Sequence, residues 1–308
     1  MNPNRLQPDY LLSSEDDVLD REEFEEEEQA RRDKTVKYLT RLMILILFLV
    51  PMGYIAALAA TFIHEVFGHG FATILVGGSI KGLSIQWDGQ GLATIFMPAD
   101  LPRYDKAFIY LAGIFVTVIT SLVLVRLGIH RGIPYFPRLA ILTVASECLM
   151  GAGPMYIFWN SLFPLKGHNW DITNVLDLFD SDQLRILLVF IGLVLMIVAM
   201  VLVNIILYRA FGEWLNTEKE RERYQYVVPL IVLFVAHSSR WVTNQLLLSI
   251  GYWTILVMLA LTLVVLGGIY HVNLEMPTYR KDIRESYLPI IAAYLAAAVL
   301  LVVVFLYL

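Results

Sequence analysis

The chain holds a single cysteine, Cys148, in 308 residues. A disulfide within the chain is thereby excluded, and so is a thiolate-rich metal site. Charge is scarce too: charged residues make up 17%, where soluble domains carry about 25%. The charge present is placed unevenly. Glu22, Glu23, Glu25, Glu26, Glu27 and Glu28 crowd a nearly apolar-free N-terminal tail, so the net charge of −5 describes that tail and not the whole surface. The tail lacks a signal-peptide pattern, and the first membrane segment is expected to stay as an anchor. In excess are apolar residues, at 58% with mean hydropathy +0.65. Several runs reach the ~20 residues that cross a ~30 Å hydrocarbon core as a helix. A soluble enzyme, a nucleic-acid binder and a disulfide-stapled secreted domain are excluded. A polytopic membrane protein remains, with the lipid bilayer as its solvent.

The expected fold is an all-α polytopic membrane protein of about seven transmembrane helices, with a small β-hairpin between the first two crossings. The apolar runs are Tyr38–Phe62, Phe108–Arg126, Leu139–Phe163, Leu184–Leu207, Val227–Ile250, Tyr252–Tyr270 and Leu288–Leu308. The first continues, weakly polar, to about Val76, which is too long for one straight crossing; a bend at Pro51 and Gly53, or a re-entrant second half, is expected. Three regions follow: an acidic, disordered or loosely helical cytoplasmic tail at 1–37, a membrane core at 38–182, and a four-helix membrane part at 183–308. Lysine and arginine are retained on the cytoplasmic side. With the N-terminus inside, the inner segments carry fifteen basic residues and the outer segments five: Lys81, Arg103, Lys106, Lys166 and Arg185. N-in, C-out follows.

One stretch is not helical. Gly82–Trp87 and Leu92–Phe96 alternate around an Asp88-Gly89 turn, the pattern of a hairpin over 82–96. An isolated hairpin is marginal in water, so it is expected to lie against the membrane part or to pair with another strand. An ordinary surface hairpin is the plain alternative.

Ionisable residues within membrane segments need a reason to be there. The densest group is His64-Glu65-Val66-Phe67-Gly68-His69, at the outer end of the first run. Neutral imidazoles suit zinc, and an adjacent glutamate can take a proton from a metal-activated water. In helical zinc motifs the histidines stand four apart and share a face. Here they are five apart, leaving the rings ~140° apart on a plain α-helix. A single π-bulge restores a common face, and such bulges favour functional sites. Gly68 and Gly70 make that distortion cheap. A membrane di-iron site needs more histidines than the six present, none of them adjacent. A third zinc ligand has to come from the outer segment Asn160–Asn174. Asp171 is the first candidate and His168 the second; Asp171 can equally serve as a helix N-cap.

The sequence at this point resembles the site-2 protease family of intramembrane zinc metalloproteases, in its short branch. The resemblance spans roughly residues 55–175. It is carried by His64-Glu65 with His69, a Gly77-Gly78 turn into the hairpin, Leu111-Ala112-Gly113, and the order Asn160, Pro164, Asp171. The family often has proline where Ile114 stands, and its aspartate lies nearer the asparagine. The resemblance implies Zn2+ held by His64, His69 and Asp171, with Glu65 as general base. It also implies that Asn160 orients substrate and that the hairpin offers an edge to an extended peptide.

His237, Arg240 and Asn244 lie within the fifth run and Glu147 within the third. Arg240 has to face the bundle or water, and a pair with Glu147 is expected ahead of a role in binding a substrate carboxylate. Gly151-Ala152-Gly153-Pro154 marks a loosened helix. The function expected is a zinc-dependent endopeptidase acting on membrane-embedded protein substrates. The alternative is a catalytically inactive protease fold acting as a binding or regulatory module, which the five-residue spacing favours. A transporter would require an internal repeat, and none is visible.

Overall fold

The structure, a computed structural model, describes residues 15–86, 91–130, 132–150, 153–162, 171–212 and 287–307. Two compact units divide the chain, Met1–Leu45 and Ile46–Leu308. In chain order come α1 (Glu15–Phe62), a π-helix (Ile63–Gly70), α2 (Phe71–Leu75), β1 (Ser79–Ile85) and β2 (Gly91–Phe96). After them follow α3 (Arg103–Gly128), α4 (Tyr135–Met150), α5 (Pro154–Leu162), α6 (Asp171–Phe179), α7 (Asp182–Gly212) and α8 (Leu288–Tyr307).

In the first unit, the acidic segment is helical from Glu15 onward, the second of the two forms expected for it. Its residues explain this. Glu, Arg, Gln and Ala are good helix formers, and pairs one turn apart add support: Arg32 with Glu28 at 2.6 Å and Gln29 with Asp33 at 3.0 Å.

Three of the described helices are long and apolar enough to cross a membrane: Met43–Leu75, Arg103–Gly128 and Asp182–Ala199; Leu288–Val304 is a shorter apolar helix. The chain is accordingly an integral membrane protein. The expected third crossing, 139–163, is instead two helices of 16 and 9 residues, α4 and α5. Gly153 and Pro154 stand at the start of α5, where proline fits a first turn but cannot continue a preceding one. The fifth and sixth expected crossings lie outside the described residues. Pro51 sits within α1.

The second unit is held by small apolar clusters. Ile114, Ile157, Ile172 and Leu176 join α3, α5 and α6, with Leu184 and Leu188 of α7 against them. Leu58, Ile85 and Val304 join α1, β1 and α8. Ala72, Ile109 and Ala112 bring α2 to α3, with Ile95 of β2 packed on them. Outward-facing residues are apolar as well, for example Phe115, Ile119 and Leu122 on α3 and Ile186 and Phe190 on α7. On a helix of spanning length such a surface fits hydrocarbon. Polar side chains within it find partners nearby: Ser121 donates to the Ala145 carbonyl at 2.7 Å, and Thr117 to the Ile114 carbonyl at 2.8 Å.

The hairpin is antiparallel, registering Ser79 with Phe96 and Ile85 with Gly91. Its first strand begins three residues before the expected start. Gly77, at φ 84°, ends α2 in the left-handed conformation that glycine adopts without strain. Gly78 then donates its N–H to the Thr73 carbonyl at 2.9 Å, turning the chain into β1.

Candidate metal centre

His64, Glu65 and His69 all lie in the π-helix Ile63–Gly70, and all three are buried. Bonding i→i+5 takes up one extra residue per turn, which the five-residue spacing requires. The distortion runs over eight residues, where a single wide turn was expected. It brings the two rings together, with centroids 4.8 Å apart at 78°. The diverging rings that would favour an inactive module are not what the structure has.

Asp171 is the first residue of α6, and its carboxylate reaches the histidines. Its Oδ2 lies 3.0 Å from Nε2 of His64 and 3.2 Å from Nε2 of His69. Burial opposes ionisation of this carboxyl; the charge of His69 and a hydrogen bond with His64 outweigh it and hold the group below the usual carboxylate range. The potential ligand atoms of the three residues all lie within 4.8 Å of one another, so they could hold a metal ion.

The hydrogen bonds of the donor set fix where its protons lie. Nδ1 of His69 is 2.7 Å from the Ile109 carbonyl and donates its N–H there. That tautomer leaves Nε2 with a bare lone pair, and Nε2 is buried without a hydrogen bond. A bare lone pair and a carboxylate oxygen 3.2 Å apart need a cation between them, which is a proton on Nε2 when no metal is bound and the metal ion when one is. Two ligands about 2.1 Å from a tetrahedral zinc stand about 3.4 Å apart, close to the separations found. Two imidazoles and a carboxylate suit zinc, and the Ile109 carbonyl is the outer partner that metal-binding histidines usually have. The residues fit the ion.

Close approach of backbones sets this geometry. A Cβ on Gly113 of α3 would stand 2.5 Å from Nε2 of His64, so the ring lies directly on that glycine. A Cβ on Gly68 would stand 2.3 Å from the Gly113 Cα, so the π-helix and α3 cross at two facing glycines. Glu65 points to the hairpin: its Oε2 accepts the Ala93 N–H at 2.8 Å.

Asn160 is buried in α5. One turn earlier stands Tyr156, whose ring centroid is 6.2 Å from that of His64. Its hydroxyl interacts with the Asp171 backbone and the Asn160 side chain. Tyr156, the Ile109 carbonyl and the Ala93 amide are parts of the site that sequence reasoning missed. Only Tyr156 left a signal, its four-residue spacing from Asn160 on one helix face. Glu147 is buried in α4. His168 and Arg240 lie outside the described residues, and with them the alternative ligand and the expected pair with Glu147.

Neither a curated protein nor a solved structure matches the chain. A family model does, over the π-helix, the hairpin, α3, α4 and α5 as far as Phe158, ending before Asn160 and Asp171. Residues 38–158, with the histidines and Glu65 among them, match the model described as Peptidase M50B-like, which is that of the site-2 protease family.

Proposed function

We propose that the protein is a zinc-dependent intramembrane endopeptidase that hydrolyses peptide bonds of membrane-anchored protein substrates. One observation carries the reading: two buried imidazole Nε2 atoms converge on one carboxylate oxygen, at 3.0 and 3.2 Å. His64, His69 and Asp171 would hold the ion. Bound there, zinc would supply Lewis acidity toward the scissile carbonyl and lower the pKa of the attacking water.

The remaining chemistry belongs to the chain. Glu65, next to His64 in sequence, takes a proton from the attacking water as its oxygen bonds to the carbonyl carbon. It then delivers that proton to the amine nitrogen as the C–N bond breaks. Asn160 orients the substrate through its amide. A helical substrate hides its carbonyls in hydrogen bonds, so cleavage needs an extended segment. The hairpin offers it a strand edge to pair with. On the basic-residue count, the N-terminus is cytoplasmic and the site lies toward the outer side.

The test uses the full chain in proteoliposomes with a membrane-anchored substrate. Glu65→Gln is expected to keep its zinc and to lose about 10²-fold or more in kcat, the contribution of a general base. Full activity in that variant would remove Glu65 from the role. His64→Ala with His69→Ala is expected to abolish zinc binding by elemental analysis. Zinc content unmoved by that double change would sink the proposal.

A further inference from the structure

The hairpin meets the candidate site through its backbone and not through a side chain. Ala93 in β2 donates its main-chain N–H to Oε2 of Glu65 at 2.8 Å. Its register partner on β1 is Leu83. Alternate residues of an antiparallel strand turn their N–H away from the neighbouring strand, and residue 93 turns its own toward the π-helix. Gly91, two residues earlier and on the same side, has room there only because it lacks a side chain. A Cβ on it would stand 2.3 Å from Cγ2 of Thr61 and 3.1 Å from Cγ of Glu65. The strand is seated on the carboxylate-bearing turn at two points.

We infer that the Ala93 amide is a positioning group for Glu65: it fixes one carboxylate oxygen and so presents the other to the attacking water. The inference rests on the protease reading and deepens it. A free glutamate side chain samples many rotamers, and the terminal torsion of its carboxylate is broad. A hydrogen bond from a backbone amide to a carboxylate is charge-assisted and directional, and a strand amide has no rotamers of its own. Because the amide belongs to β2, the aim of the base is tied to the hairpin.

Two measurements test this on the full chain in nanodiscs. The first is residue-resolved amide hydrogen exchange without substrate. Glu65→Ala removes the acceptor and is expected to speed exchange at Ala93 about tenfold or more relative to Thr94, while Glu65→Gln retains an acceptor oxygen and the protection. Unchanged exchange at Ala93 in Glu65→Ala overturns the inference. The second compares Ala93→Pro, which has no N–H, with Ala93→Gly, which keeps it. The proline variant is expected to lose about 10²-fold in kcat with its zinc bound and KM within about threefold, on the scale of a misplaced base. The glycine variant is expected to recover most of that loss. Equal losses in the two overturn the inference. A zinc-free, inactive wild type would instead sink the protease reading, and the exchange experiment would still decide whether the strand holds Glu65.

Discussion

Gly113 has no side chain because the imidazole of His64 occupies the place where one would be, 2.5 Å from the nearest possible Cβ. The glycine is thus required by a ring on another helix and not by its own backbone conformation. Gly113→Ala is expected to push His64 off its line to Asp171 and to weaken zinc binding by about 10- to 100-fold, the range for disturbing the groups around a metal ligand. A competitive chelator titration reads this; an unchanged zinc Kd would mean the ring yields without cost. The triplet Leu111-Ala112-Gly113 is conspicuous in the sequence, but the reason for its glycine is not, since it depends on which ring α3 meets. His64, Glu65 and His69 were legible because ionisable side chains in apolar sequence are costly without a role; Asp171 was one of two candidates, with His168, for the third ligand that a zinc site needs. The Ile109 carbonyl and the Ala93 amide were not, since every residue carries those groups and only the fold selects among them.

At the scale of elements, the five-residue histidine spacing was a readable trace of the π-helix, because helix geometry leaves few other ways to align the rings. The length of the distortion was not readable, being spread over eight residues. The hairpin was legible from alternation and its turn, and the early start of β1 was hidden by Lys81, where the register shifts between Ile80 and Gly82. The segment read as a third crossing proves to be α4 and α5, and α5 is secured from outside itself. Arg185 of α7 donates from Nε to the Ser161 carbonyl and from Nη2 to the Leu162 carbonyl, each at 3.0 Å. A cation is favoured at a helix C-terminus, and these two bonds hold the end of the short helix that carries Tyr156 and Asn160. Arg185→Ala is expected to cost about 1.5–3 kcal/mol, the worth of hydrogen bonds to a charged group, seen as a lower Tm in detergent. Arg185→Lys is expected to recover only part of it, because an ammonium lacks the planar fork.

For the whole molecule, the count of fifteen inner against five outer basic residues makes a prediction about sidedness. The one native cysteine, Cys148, is buried, so an introduced cysteine reports with little background. Lys81→Cys on the hairpin is expected to react with a membrane-impermeant maleimide from the outer face of intact cells. Arg32→Cys on α1 is expected to react only after permeabilisation, and labelling of both from the same side would reverse the orientation. The site itself spans much of the chain: His64 and Asp171 are 107 residues apart. At about 5–20 residues per second, roughly 5–20 s of synthesis separate them. On the proposed ligand set, a nascent chain emerges with two imidazoles and a base but no carboxylate to complete the cage. It would hold zinc weakly until α6 is made and seated. On that reading metal retention would act as a clock, and hydrolysis would wait until the chain is made at least as far as α6.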